Sequence, residues 1–188
     1  MPIAHLIVGP NGAGKTTFYQ RILGPATGLP FINADFIAAE RWPGREEAKA
    51  YDAARIAEKM RTRAIARRSS FATETVFSHR SKLELVQDLK SRCYIVILHV
   101  VLVPEDLAVV RARLRGEQGG HTVPERKVRA RYRRLWRLVR RALWVVDETI
   151  VYDNTRAKNA FRKVAHFRNG TPDDAPRWPK WSPLKWGR

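Results

Sequence analysis

Residues 3–23 restrict the fold more than any other stretch of this chain. The apolar run Ile3, Ala4, His5, Leu6, Ile7, Val8 leads into Gly9-Pro10-Asn11-Gly12-Ala13-Gly14-Lys15-Thr16-Thr17, and Thr16 to Leu23 can open a helix. Buried strand, glycine-rich turn, helix start is the order that a phosphate-binding loop requires. The stretch satisfies G-x-x-x-x-G-K-[ST] with both flanks in place. Its glycines admit backbone angles and close approaches that a Cβ blocks. Gly9, Asn11, Gly12, Ala13, Gly14, Lys15, Thr16 and Thr17 can therefore ring phosphate oxygens with successive N–H groups. In such a loop the lysine, Lys15, bridges the β- and γ-phosphates of a nucleotide, and the Thr16 hydroxyl holds Mg²⁺. ATP and Mg²⁺ are the expected cofactors.

Downstream, strand and helix patterns alternate. Leu29 to Asn33 reads as a short second strand with Asp35 at its tip, and Glu46 to Arg68 as a long helix with Ala53, Ala57, Met60 and Ala64 on one face. Ser70 to Thr75 is a third strand ending at Glu74-Thr75. Ser81 to Ser91 is a helix with Ser81 as N-cap. Cys93 to Val103 is a continuous apolar, β-branched run, the mark of a central strand covered on both faces. Glu105 to Arg115 is helical, Gly116 to Pro124 a loop, and Glu125 to about Val146 a helix with a core stripe of Val128, Tyr132, Leu135, Val139 and Leu143. Thr149 to Tyr152 and Phe161 to Phe167 are further strands. The predicted architecture is α/β: a mostly parallel sheet of about five strands with helices on both faces, of the P-loop NTPase and nucleotide-kinase type. Ligands of such sheets bind at the carboxyl ends of the strands, where Lys15, Asp35, Glu74 and Asp153 are all expected.

Residues 1–168 are read as one domain and 169–188 as a Pro/Trp-rich basic tail, with its tryptophans packed back onto the domain. Cys93 is the only cysteine, which excludes an internal disulfide and points to a reducing compartment. No basic leader precedes the first apolar run, and no run is long enough to span a bilayer, so the cytoplasm is the expected location. The net charge is +18, with twelve basic residues against two carboxylates between Arg111 and Arg141. A field of that sign draws anionic partners.

The loop alone does not separate a kinase from other nucleotide hydrolases. ABC-type ATPases often carry this loop, yet no L-S-G-G-Q signature is present. Leu143-Trp144-Val145-Val146-Asp147-Glu148 imitates a Walker B strand, but Val139 and Leu143 are in helical phase with the preceding stripe, and it is read as a decoy. No Asn-Lys-x-Asp base-recognition motif occurs. A small-molecule phosphotransferase fits better. It needs a carboxylate near the acceptor hydroxyl, cations on the transferred group and a lid that excludes water. Asp35 suits the first role, Arg111, Arg113 and Arg115 compete for the second, and Gly119-Gly120-His121 can hinge and donate.

These residues carry a resemblance. The chain resembles the compact members of the zeta-toxin-like kinases, a family that includes UDP-N-acetylglucosamine kinases of bacterial toxin–antitoxin systems. The resemblance rests on the phosphate loop, Asn33-Ala34-Asp35, Phe71-Ala72-Thr73-Glu74-Thr75, Arg111-x-Arg113, Gly119-Gly120-His121-x-Val123-Pro124, Arg131-x-x-Arg134 and Tyr152-Asp153-Asn154. It implies Asp35 as catalytic base, Lys15 and Thr16 on ATP·Mg²⁺, and Arg113 or Arg111 as transition-state cation. Glu74, Thr75, His121 and Arg131 become the substrate contacts. His121 stands where the larger toxins carry a second lid arginine.

Function at this level is ATP-dependent transfer of the γ-phosphoryl to a hydroxyl of a small anionic metabolite. UDP-N-acetylglucosamine is the acceptor and an antitoxin protein the partner that the resemblance implies. The alternative is a nucleic-acid-binding enzyme such as a polynucleotide kinase, for which the charge, the Arg126–Arg141 helix and the Trp tail speak.

Overall fold

The computed structural model describes residues 1–117 and 123–185. A seven-stranded sheet runs in the order β2-β3-β1-β4-β5-β6-β7. Its strands are β1 (Ile3–Val8), β2 (Phe31–Ile32), β3 (Phe71–Thr75), β4 (Ile95–Leu102), β5 (Glu148–Asp153), β6 (Arg162–Arg168) and β7 (Thr171–Pro172). The first five pair in parallel; β6 and β7 add antiparallel. Seven strands thus stand in place of about five, although the Phe161 to Phe167 pattern does mark β6. β6 begins just past Phe161, and β7 is a two-residue pairing too short to register as a period.

β1 and β4 are buried almost throughout, as covering on both faces demands. The chain leaves β1 toward β3 on one side and crosses to β4 on the other, which opens a crevice at the carboxyl end of β1. Register aligns Val8 with Thr75 and Val100, and Leu102 with Asp153, so these strand ends share one edge.

The helices are α1 (Lys15–Phe18), α2 (Gly24–Thr27), α3 (Ala34–Arg41), α4 (Ala50–Ala66), α5 (Ser81–Ser91), α6 (Glu105–Glu117) and α7 (Glu125–Ala142). A π-helical turn, Tyr19–Leu23, joins α1 to α2, so helical structure after the loop continues to Thr27. Four sequence expectations are corrected. Asp35 does not sit at a strand tip; β2 stops at Ile32, and Asp35 lies in the first turn of α3. In α4, Ala53 and Ala57 are buried, but Met60 is exposed and Ile65 takes its place in the core. Ser81 is the first residue of α5 rather than its cap, and its N–H donates to His79 Nδ1. α7 ends at Ala142, and a turn precedes β5. Asp147 therefore stands at the amino end of β5, where it pairs with Lys90 and accepts from the Val96 N–H at 2.7 Å. A Walker B carboxylate belongs at the opposite end, so the decoy reading stands on geometry.

The stripe Val128, Tyr132, Leu135, Val139 and Leu143 is buried, and Trp136 joins it. Each such side chain contributes about 1.5–3 kcal/mol. The tail returns to the domain: Leu184 is fully buried, and Trp178 and Trp181 pack on the core. No described helix is long and apolar enough to cross a membrane.

Candidate functional site

The loop between β1 and α1 holds the shape its glycines permit. Gly12 and Gly14 adopt φ values of +72° and +89°, and a Cβ there would meet the Ala108 carbonyl and Asn154 Nδ2, each at 2.6 Å. Neither position can carry a side chain without moving a neighbour. No side chain caps α1, which leaves its first amides for a ligand. Lys15 is 8% exposed. Its ammonium has three N–H donors, and the hydrogen bond in place runs to the Pro10 carbonyl at 3.0 Å. Burial pushes Lys15 below the ordinary lysine range; Glu74 and Asp35 oppose that shift, and Arg115 and Arg131 reinforce it. Those four groups from α3, α6, α7 and β3 thus converge electrostatically on the loop lysine.

A cavity of about 400 Å³ opens beside the loop. Gly12, Gly14, Lys15, Thr16, Thr17, Arg21, Glu74, Arg111, Arg115, Asn154 and Phe161 line it. The Thr16 hydroxyl donates to Glu74 Oε2 at 2.8 Å. This pair offers hard oxygen ligands of the kind Mg²⁺ takes alongside phosphate and water. No cluster of three His, Cys, Asp or Glu suited to a metal exists among the described residues. Cradle, buried cation and Thr–Glu oxygen pair together fit a nucleotide phosphate with Mg²⁺.

Helical phase sorts the arginines of α6. Arg111 and Arg115 lie four residues apart on the loop-facing side with buried Ala108 and Ala112, and both line the cavity. Arg111 also donates to the Asn154 and Thr155 carbonyls at 2.8 and 3.4 Å. Arg113 points elsewhere, into an exposed pair with Glu117 at 3.7 Å. Of the two arginines that the resemblance implies, Arg111 lines the cavity and Arg113 does not, and Arg115 stands beside Arg111 there. Arg115 pairs with Asp35 at 3.7 Å, both side chains about half exposed, and this contact bridges α3 and α6. Asp35 is held there by Asn33, whose buried side chain accepts from the Asp35 and Phe36 N–H groups at 2.7 and 3.3 Å.

Asp153 does not join this group. Burial raises its carboxyl, but hydrogen bonds from Thr155 and Arg162 outweigh that and leave it below the usual range. It faces a separate cavity with Arg156, Lys180 and Trp181. Its neighbour Asn154 is the residue that reaches the loop, donating to the Ala13 carbonyl at 2.8 Å. Asn11, a residue of the loop itself, keeps a buried Oδ1 with no partner among the described residues. Thr75 accepts from the Phe77 N–H at 3.1 Å. Thr75 and Glu74 line a smaller cavity of about 140 Å³ toward α4 and α5. Arg131 faces a groove of about 750 Å³ with Lys127, Arg134, Arg137 and Arg141. His121 and its glycine hinge lie outside the described residues.

Sequence reasoning missed Asn154, Phe161, Arg61 and Lys82 as cavity residues. The four-residue spacing of Arg111 and Arg115 was a usable signal for the arginine pair that lines the cavity. For Arg61 and Lys82 there was none, because they meet only when α4 and α5 dock against β3.

Several solved structures share the fold. A chain of the AvrRxo1-ORF1:AvrRxo1-ORF2 complex with sulphate ions superposes with a TM-score of 0.72 at 14% identity, covering 98% of this chain and 66% of that one. The same complex has been solved with ATP, with a TM-score of 0.70, 13% identity and coverage of 98% and 66%. This chain thus spans just under two thirds of the length of the matched chain in that complex. A structure from the PezAT chromosomal toxin–antitoxin system of Streptococcus pneumoniae gives 0.66 at 18% identity, covering 88% and 72%. A putative kinase from Chloroflexus aurantiacus gives 0.55 at 20%, covering 71% and 78%. No curated protein matches the chain significantly. The family model described as an AAA domain (AAA_33) matches residues 5–138, well over half of the sequence, and the chain therefore belongs to that AAA domain family.

Proposed function

We propose that the protein is an ATP-dependent phosphotransferase that moves the γ-phosphoryl group to a hydroxyl of a small anionic metabolite. The observation that carries this reading is the gathering of Lys15, Glu74 and Arg115 at the loop cavity, with Asp35 brought to its side by the pair with Arg115. Bound ATP·Mg²⁺ supplies the transferable group and the metal's charge. Lys15, with donors to spare, binds and orients the phosphate end. Thr16 and Glu74 position the metal side. Asp35 Oδ2 takes the proton of the acceptor hydroxyl as its pair with Arg115 opens. Arg111 and Arg115 hold charge that develops on the transferred oxygens, a role worth far more in a water-excluded site than in bulk solvent.

Within that class, the zeta-toxin-like resemblance favours UDP-N-acetylglucosamine as acceptor and an antitoxin as protein partner. Among the fold neighbours, AvrRxo1-ORF1:ORF2 is a complex of two proteins and PezAT a toxin–antitoxin system, which supports the second point by analogy. A cytoplasmic site of action belongs to the same reading. The deciding experiment incubates the protein with labelled ATP·Mg²⁺ and a metabolite panel that includes nucleotide sugars, scored by mass shift. Transfer to any hydroxyl compound supports the reading; ATP binding without transfer to any member removes it.

A second reading, a polynucleotide kinase or related nucleic-acid enzyme, is favoured by one observation. The groove is lined by six cations, five from α7 together with Arg80, and by no carboxylate.

A further inference from the structure

The small cavity behind Glu74 holds a pair of cations that the phosphate loop does not need. It is lined by α3, α4, α5 and β3, with a volume of about 140 Å³. Arg61 enters from α4 and Lys82 from the first turn of α5, opposite Thr73, Glu74 and Thr75. Neither cation has a hydrogen bond or an ion pair among the described residues. Glu58, the one acid that acts on both, is exposed, does not line the cavity and lies beyond ion-pair distance. Burial pushes both groups below their ordinary ranges, and Arg61 lowers Lys82 further. Two partly buried like charges side by side cost stability unless an anion joins them.

Position gives this pair a purpose. Glu74 lines both the small cavity and the loop cavity. A group seated on Arg61 and Lys82 is therefore one side chain away from the Thr16–Glu74 contact of the phosphate loop. We infer that Arg61 and Lys82 are the anion-recognition subsite for the phosphoryl acceptor, which makes the acceptor a compact hydroxy acid or sugar phosphate whose carboxylate or phosphate is read in this cavity. The inference rests on the phosphotransferase reading but sets a compact acceptor in place of the nucleotide sugar that the resemblance favours. A volume near 140 Å³ takes one oxyanion group and a few carbons, while the rest of the acceptor extends toward Asp35. The planar fork of Arg61 and the point charge of Lys82 together suit either oxyanion.

Two measurements on the full chain test this. In the first, the loop is saturated with Mg²⁺ and a non-hydrolysable ATP analogue, and inorganic phosphate and acetate are each titrated by calorimetry. The expected result is one ion per chain. R61M and K82M should each weaken it roughly 10- to 100-fold, the loss of one charge-assisted contact. R61K should retain most of the binding, and the affinity for the ATP analogue should not change. Whichever ion binds tighter identifies the acceptor as phosphorylated or carboxylic. Anion binding that survives both methionine variants overturns the inference. In the second, hydroxy acids, sugar phosphates and neutral polyols compete as acceptors of labelled phosphoryl. Anionic acceptors should dominate, with KM raised about 10- to 100-fold in R61M and K82M. Equal turnover of neutral and anionic acceptors overturns the inference. No transfer to any acceptor, with ion binding still dependent on Arg61 and Lys82, upholds the subsite and removes the phosphotransferase reading.

Discussion

Asp35 and Glu74 both flank Lys15, and their surroundings divide the work. Glu74 already accepts from Thr16, so it is engaged on the metal side, while Asp35 is bound only by an exposed arginine. Asp35→Asn should lower kcat by about 10²-fold or more with nucleotide affinity unchanged, because only a proton acceptor is removed; steady-state kinetics beside a nucleotide titration checks it. An unchanged kcat excludes Asp35 from the chemistry. Beneath the loop, His5 Nδ1 and His99 Nε2 lie 2.9 Å apart with stacked rings, packed against Phe18 and Tyr152. Burial, then the neighbouring His5, drives His99 down to about 3. The unfolded chain therefore binds a proton near pH 6.5 that the folded chain refuses. Stability is full above pH 6.5 and falls as pH drops toward 3, by up to about 1.4 kcal/mol per pH unit. Urea unfolding at pH 7.5 and pH 5 should show a loss of roughly 2 kcal/mol that His99→Gln largely abolishes.

Elements explain why some of this was legible in the sequence and some was not. The strand, loop and helix start of residues 3–18 were readable because spacing and chemistry coincide over one local stretch. The burial of the α7 stripe was equally readable, since its period is unbroken. Asp35 was placed on the wrong element because Phe31 and Ile32 look like the start of a longer strand, although Asn33 before Ala34-Asp35-Phe36 is itself a helix-start signal. That cap now carries weight. Asn33→Ala should destabilise the protein by about 0.5–2 kcal/mol and lower turnover as well, because the same turn aims Asp35; denaturation and kinetics on one variant test both. The two-cation cavity had no local trace, since Arg61 and Lys82 stand twenty-one positions apart in sequence and on different helices.

At the scale of the molecule, the tail and the charge make separate demands. Arg140 donates to the Pro183 carbonyl at 2.6 Å, Phe167 stacks near Trp178, and Leu184 is sealed in the core. Removing residues 176–188 should lower Tm by about 5–10 °C, the loss of a few kcal/mol of apolar burial in a chain of this size; a thermal melt reads it. Lys127, Arg131, Arg134, Arg137 and Arg141 have no ion-pair partner among the described residues. If the groove takes single-stranded nucleic acid, log-affinity should fall with log-salt at a slope of roughly −3 to −4 for five phosphate contacts. Fluorescence anisotropy measures that slope, and no binding at low salt ends the nucleic-acid reading. The sheet has one more consequence. Its outer members, β2 and β7, are two residues each, and β7 ends in Pro172. A proline lacks the amide that lateral extension needs, and so short a ladder gives an incoming chain almost nothing to grip. Lateral growth of the sheet is thus weakly templated at its two outermost strands, and recruitment of a further chain at either border gains few main-chain bonds from them.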